Sequence, residues 1–261
     1  MVRKNAIERD LENLRRVLPD PFDLPSKLDV FFSDPTAQKL IAGGRRSIQR
    51  IISLLESNPN PALARVAVLL LSRFAPAAFY ANLLVLLEKT DRAMTEAFEP
   101  GFWLIQLPEQ QIAQDLVSVV ASSGNPYPLL LLQKPVAKVV RSQLAGFVQQ
   151  RRLPLSLYAL YCYKYAMEPE DIPLMKFVSR WVDVPEMSAL AGLYLLELGS
   201  KDGVLGIRAG LIAPDEELRM VTYYELAAYL PKTVVEQSGY DPVKPGNAQQ
   251  DVVDILINYL T

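Results

Sequence analysis

Two clusters of carboxylates are the groupings in this sequence whose residue types suit catalysis or a divalent cation: Glu168, Glu170 and Asp171 ahead of Pro173, and Asp215, Glu216 and Glu217 after Pro214. Both fall in the first turn of an expected helix, where the helix dipole favours negative charge by about 0.3–1 kcal/mol per group. Capping is therefore the expected role, and no catalytic residue is assigned. The chain has no histidine and a single cysteine, Cys162. That excludes Ser-His and Cys-His nucleophiles, disulfide pairing within the chain and the zinc sites built from Cys and His. Cys162 has only Lys164 nearby in sequence to activate it and reads as a buried filler. No cofactor and no metal site are expected.

Cations and tyrosines remain as candidates for binding. Lys134, Lys138 and Arg141 are spaced i, i+4, i+7 and would share one face of a helix, with Arg151 and Arg152 at its far end. Such a stripe suits an acidic protein or phosphates, although charge runs are commonly solvated helix faces. Arg45, Arg46 and Arg50 form a second cluster after Gly43-Gly44, but the glycine spacing of a P-loop is missing. Tyr158, Tyr161 and Tyr165 recur at helical spacing; rings in that pattern pack a core or grip a peptide with large area and little entropy loss.

These residues are positioned by helices. Arg3 to Leu18 is amphipathic, with Ile7, Leu11, Leu14 and Leu18 on one stripe. The connector that follows holds Pro19, Pro21, Pro25 and Pro35, leaving room for one short helix around Lys27 to Phe32, with Phe22, Phe31 and Phe32 tucked onto a neighbour. A helix from Thr36 would be weakened at Gly43 and Gly44 by roughly 1 kcal/mol each, so a break is expected there. Further helices are expected over 61–74, 77–89, 110–121, 135–150, 155–167, 173–182, 185–198, 203–212, 214–230 and 249–260. No segment alternates with period two between hairpin turns, so the chain reads all-α. Val66 to Leu87 is almost entirely apolar and as long as a transmembrane span, but Arg73, Pro76 and Asn82 lie near its centre. A buried helical hairpin explains it better than a membrane span.

Proline leads three apolar helical runs, at Pro154, Pro185 and Pro214, with spacings of 31 and 29 residues. Within this pattern LIAPDEELRMVTYYELAAYL, from Leu211, resembles the second half of a HEAT-like repeat, with Arg219 five residues after the proline. NPALARVAVLLLSRF, from Asn60, is similar, with Pro61, Arg65 and Ala67. PEMSALAGLYLLELG has the small residues without the arginine, and the spacing near 30 is shorter than the usual 40–47. The resemblance implies an α-solenoid of short antiparallel helix pairs; a compact, non-repetitive helical bundle is the alternative. The corresponding division is 1–59 as N-terminal helices and connector, 60–240 as the repeat domain and 241–261 as a C-terminal cap.

The functional expectation is a non-enzymatic scaffold or adaptor that binds another protein, one of acidic character if the basic stripe recruits it. Residues 1–152 carry 19 Lys and Arg against 14 Asp and Glu, and residues 153–261 carry 8 against 15. Nucleic acid or phosphate on the basic half is the second reading; a sequence pI near 5.4 counts against it. A third reading is an enzyme using carboxylates or tyrosines, which the HEAT-like resemblance admits in a lyase-type form, since some such families are lyases. The charged N-terminus lacks a signal-length apolar stretch, so a cytoplasmic location is expected.

Overall fold

Prolines and short polar residues interrupt apolar runs too short for anything but brief helices, and helix follows helix along the chain. The computed structural model describes residues 6–17, 24–73, 76–102, 104–105, 107–132 and 134–260, and these contain helices, turns and no strand. They divide into two compact units, Met1–Val140 and Arg141–Thr261.

The first unit comprises α1 (Ala6–Val17), α2 (Leu24–Ser33), α3 (Pro35–Ala42), α4 (Gly44–Ser57), α5 (Pro61–Leu71), α6 (Pro76–Leu87), α7 (Arg92–Phe102) and α8 (Glu109–Ser123), then 3-10 turns at Tyr127–Leu131 and Lys134–Val140. α1 buries Ile7, Leu11 and Leu14, while Leu18 and Phe22 lie outside the described residues. Phe31 and Phe32 are buried as anticipated, with the Arg73 guanidinium 4.2 Å from the Phe32 ring centre. The break between α3 and α4 falls at Gly43, and Gly44 takes φ +52°, a conformation glycine adopts without a Cβ penalty.

At the centre is α5, buried from Leu63 to Leu71 except for Arg65, with Asn60 Oδ1 accepting from the N–H groups of Ala62 and Leu63 to start it. No helix among the described residues is long and apolar enough to cross a membrane; the apolar run is divided between α5 and α6. α7 was not expected, because Pro100-Gly101 reads as a stop. Both residues sit near its C-terminal end, and Gly101 is where it meets α5: a Cβ there would come within 2.5 Å of the Val68 carbonyl carbon.

The second unit comprises α9 (Arg141–Gln149), α10 (Leu155–Tyr163), α11 (Ile172–Val178), α12 (Pro185–Glu197), α13 (Val204–Leu211), α14 (Glu216–Ala227), α15 (Lys232–Gln237) and α16 (Gln250–Asn258). Neighbours in sequence pack as pairs: α9 on α10, α11 on α12, α13 on α14. The three proline-led helices α10, α12 and α14 also lie side by side, with α12 in the middle. Their prolines act differently: Pro154 is the N-cap of α10, Pro185 opens α12, and Pro214 precedes the true cap Asp215, whose side chain accepts from Leu218 N–H at 2.7 Å. Behind α14, the buried Leu211, Tyr223, Leu226 and Tyr240 pack with Val253 and Leu256 of α16.

α12 and α13 form the closest pair in this unit, and glycines permit it. A Cβ on Gly192 would sit 2.5 Å from the Gly203 carbonyl oxygen, and one on Gly206 would overlap the Ser188 carbonyl. Gly206→Ala is therefore expected to destabilise the unit by roughly 1–3 kcal/mol through overpacking against backbone. Gly146→Ala, where an added methyl meets nothing within 4 Å on α9, should stabilise by about 0.5–1 kcal/mol. Urea unfolding of the two variants checks the contrast; equal midpoints would refute the packing account.

Candidate interaction surface

The structure takes the expected basic stripe apart. The helix expected over 135–150 is a 3-10 turn from Lys134 to Val140 followed by α9, in keeping with the β-branched Val136, Val139 and Val140. A step of four residues turns about 120° past alignment in a 3-10 helix, so Lys134 and Lys138 do not share a face through local geometry. Lys138 is exposed and the side chain of Lys134 lies outside the described residues. Arg141 belongs to the second unit, and its guanidinium is already engaged: Nε and Nη2 reach the two oxygens of Asp171 at 3.0 and 2.7 Å, and Nη1 reaches Glu168 at 3.3 Å.

Arg151 has φ +54°, pairs with Asp183 and stands 5.2 Å from the Trp181 ring centre. Arg152 is exposed, as are Arg45 and Arg46 on α4. Arg46 and Arg50, with Gln49, Ser53 and Ser57, line an open basic surface of the first unit.

The carboxylate clusters act as caps. Glu168 and Asp171 form a reciprocal capping box, with the Glu168 N–H donating to Asp171 at 2.9 Å, and Asp215 caps α14. Burial opposes ionisation of Asp171, but hydrogen bonds from Arg141, Tyr163 and the Glu168 N–H outweigh it and hold the carboxyl below its ordinary value of 3.8. Burial, with Asp171 adding to it, pushes the Tyr163 hydroxyl up to about 12. Cys162 is half-buried, less than the buried filler expected, and burial pushes its thiol up to about 12. Among the described residues, no group of three or more Cys, Asp or Glu is placed to hold a metal ion.

Arg219 is the buried counterpart of these networks. At 3 % exposure it donates from Nη1 to the carbonyls of Ala213 and Pro214, both at 2.8 Å, and from Nε to Pro242 at 2.9 Å. It thereby ties the entry of α14 to the turn before α16, which is packing work.

A groove of about 230 Å³ opens across the row α10, α12, α14. Leu157 and Tyr161 come from α10, Ala189, Leu190 and Leu193 from α12, and Leu218, Val221 and Thr222 from α14. Glu186, Asp215 and Glu217 stand at its edge. Tyr161 is 47 % exposed and lines the groove; Tyr158 is half-buried; Tyr165, 42 % exposed, lies near Lys164 and Tyr194.

Of the residues singled out from sequence, Tyr161, Asp215 and Glu217 line this groove. The others lining it include ordinary leucines, a valine and Glu186. The signal that could have found them is that α10 and α12 are apolar nearly all round, so that Leu157 and Leu190 fall where a helix backed on one side would carry polar residues.

No family model, curated protein or solved structure matches this chain.

The Arg141–Asp171 network generates a pH prediction. Because the folded carboxyl is held below 3.8, the unfolded chain takes up the proton first as pH falls. The stabilisation is fully present above that value and is lost as the pH falls through the lower folded value. Asp171→Asn should therefore lower stability at neutral pH by about 1–3 kcal/mol and flatten the acid limb of the stability–pH curve below pH 4. Chemical denaturation between pH 2 and 7 measures both; an acid limb as steep in the variant as in the parent would refute the assignment.

Proposed function

We propose that this protein is a non-enzymatic adaptor whose second unit is a short α-solenoid of HEAT-like helix pairs and binds another protein on the face made by successive helices. The observation that carries the reading is the row α10, α12, α14. The helices that share the proline-led spacing of 31 and 29 residues lie side by side, each backed by a sequence neighbour, and a groove opens across them. Stacked pairs bury the apolar faces that a single pair would expose, and the exposed row is the binding surface such repeats characteristically use. The use of Asp171 and Asp215 as caps, and of Arg141 and Arg219 as ties, supports the non-enzymatic reading, because the groups best suited to chemistry are spent on structure.

A second reading, phosphate or nucleic acid on the first unit, is favoured by the open surface lined by Arg46 and Arg50, with no carboxylate in its lining. Binding there would weaken steeply with salt.

Site-specific photo-cross-linking in native extract separates the two. A cross-linker at Tyr161 or Tyr224 is expected to capture a common protein, whereas one at Leu205, 58 % exposed on α13, should not. Adducts only from Arg46 and Arg50, or none from the α10–α14 row, would overturn the adaptor reading.

A further inference from the structure

The groove's composition says what should occupy it. Its lining is apolar along the middle: Leu157, Leu190, Leu193 and Val221 converge there from three helices, with Val221 46 % exposed. Its edge is acidic. Glu186 and Glu217 lie in the first turns of α12 and α14, where the helix dipole accounts for their sign, but neither has a cation partner among the described residues. Beyond the groove, Glu225 sits near Lys164, whose ammonium is already paired with Glu197 at 3.0 Å. The face is therefore apolar in the middle and negative around it, opposite in sign to the Arg46–Arg50 surface of the first unit.

Dimensions narrow the occupant further. Three helices packed at about 8–10 Å span about 20 Å, and a helix of about 14 residues has that length at 1.5 Å per residue. The groove takes about two turns of α12, Glu186 to Leu193, matching the 10–12 Å diameter of one helix laid across the row.

Resting on the adaptor reading, we infer that this groove binds a basic amphipathic helix of a partner protein. The partner's apolar stripe lies on Leu190, Leu193 and Val221, and its lysines or arginines meet Glu186 and Glu217. This mode follows the general chemistry of helices seated in apolar grooves. It also reverses the sign expected of the partner from the basic stripe: the acidic partner suited Lys138 and Arg141, and this groove calls for a cation-bearing one.

The test uses the full chain and a fluorescent 14-residue peptide of leucine and lysine in amphipathic spacing, read by anisotropy. Saturable binding is expected, and at least about tenfold weaker binding by a scrambled peptide of the same composition and by the leucine–glutamate counterpart. Glu186→Lys with Glu217→Lys should weaken the parent peptide by about tenfold or more, as should Val221→Lys, while Arg46→Glu with Arg50→Glu leaves it unchanged. The paired glutamate variant alters only rim residues and keeps the test valid should Val221→Lys fail to fold; circular dichroism checks each. Equal binding of the scrambled or acidic peptide, or no effect of the groove variants, overturns the inference. If the peptide fails while Tyr161 still cross-links a protein, the occupant is wrong and the adaptor reading stands; if both fail, the adaptor reading falls with it.

Discussion

The second unit depends on how closely α12 and α13 approach. Gly192 faces Gly203, and Gly206 faces the Ser188 carbonyl, at separations that leave no room for a methyl group. Ser188 is buried with its hydroxyl donating to the Ser179 carbonyl at 2.6 Å, so the one polar side chain at this crossing is satisfied. With α13 pressed against it, α12 is covered on that side and still meets α10, α11 and α14. A helix with neighbours on several sides must be apolar nearly all round, and α12 is. Ala189, Leu190 and Leu193 of this helix line the groove, Leu190 half-buried there.

Charge is distributed by a second constraint. Buried or half-buried cations need fixed acceptors, and here they find them in carbonyls and capping carboxylates: Arg219 in Ala213, Pro214 and Pro242, Arg141 in Asp171 and Glu168. Each tie joins the start of one helix to a segment distant in sequence. The cations so used are no longer available to a partner, which leaves the exposed edge of the α10–α14 row to its glutamates.

Several features were legible in the residues alone. The all-helical architecture follows from proline-bounded apolar runs, and the break at Gly43-Gly44, the caps at Asp171 and Asp215, and the buried α5 follow from local chemistry. Two helices escaped. α7 carries Pro100 and Gly101 near its end, where local rules predict a stop, and Gly101 is retained because α5 passes against it. α15 is six residues long and held by burial of Val234 more than by its own propensity. The helix expected over 135–150 differs for the opposite reason: the spacing of Lys134, Lys138 and Arg141 suits an α-helix, and the backbone there is not one until Arg141.

The order of residues was enough to dictate where most helices begin, which ones share a spacing near 30, and that the chain has no histidine and one thiol, Cys162, because each depends on residue type and near neighbours. Which cations are spoken for, and which leucines are left uncovered, was settled only when the helices packed. Arg141 and Asp171 are 30 residues apart in the chain, and the groove is built from α10, α12 and α14, each separated from the next by an intervening helix. Pairing and exposure are properties of surfaces brought together across those intervals; the all-round apolar pattern of α10 and α12 hints at Leu157 and Leu190 but does not say which helices meet there.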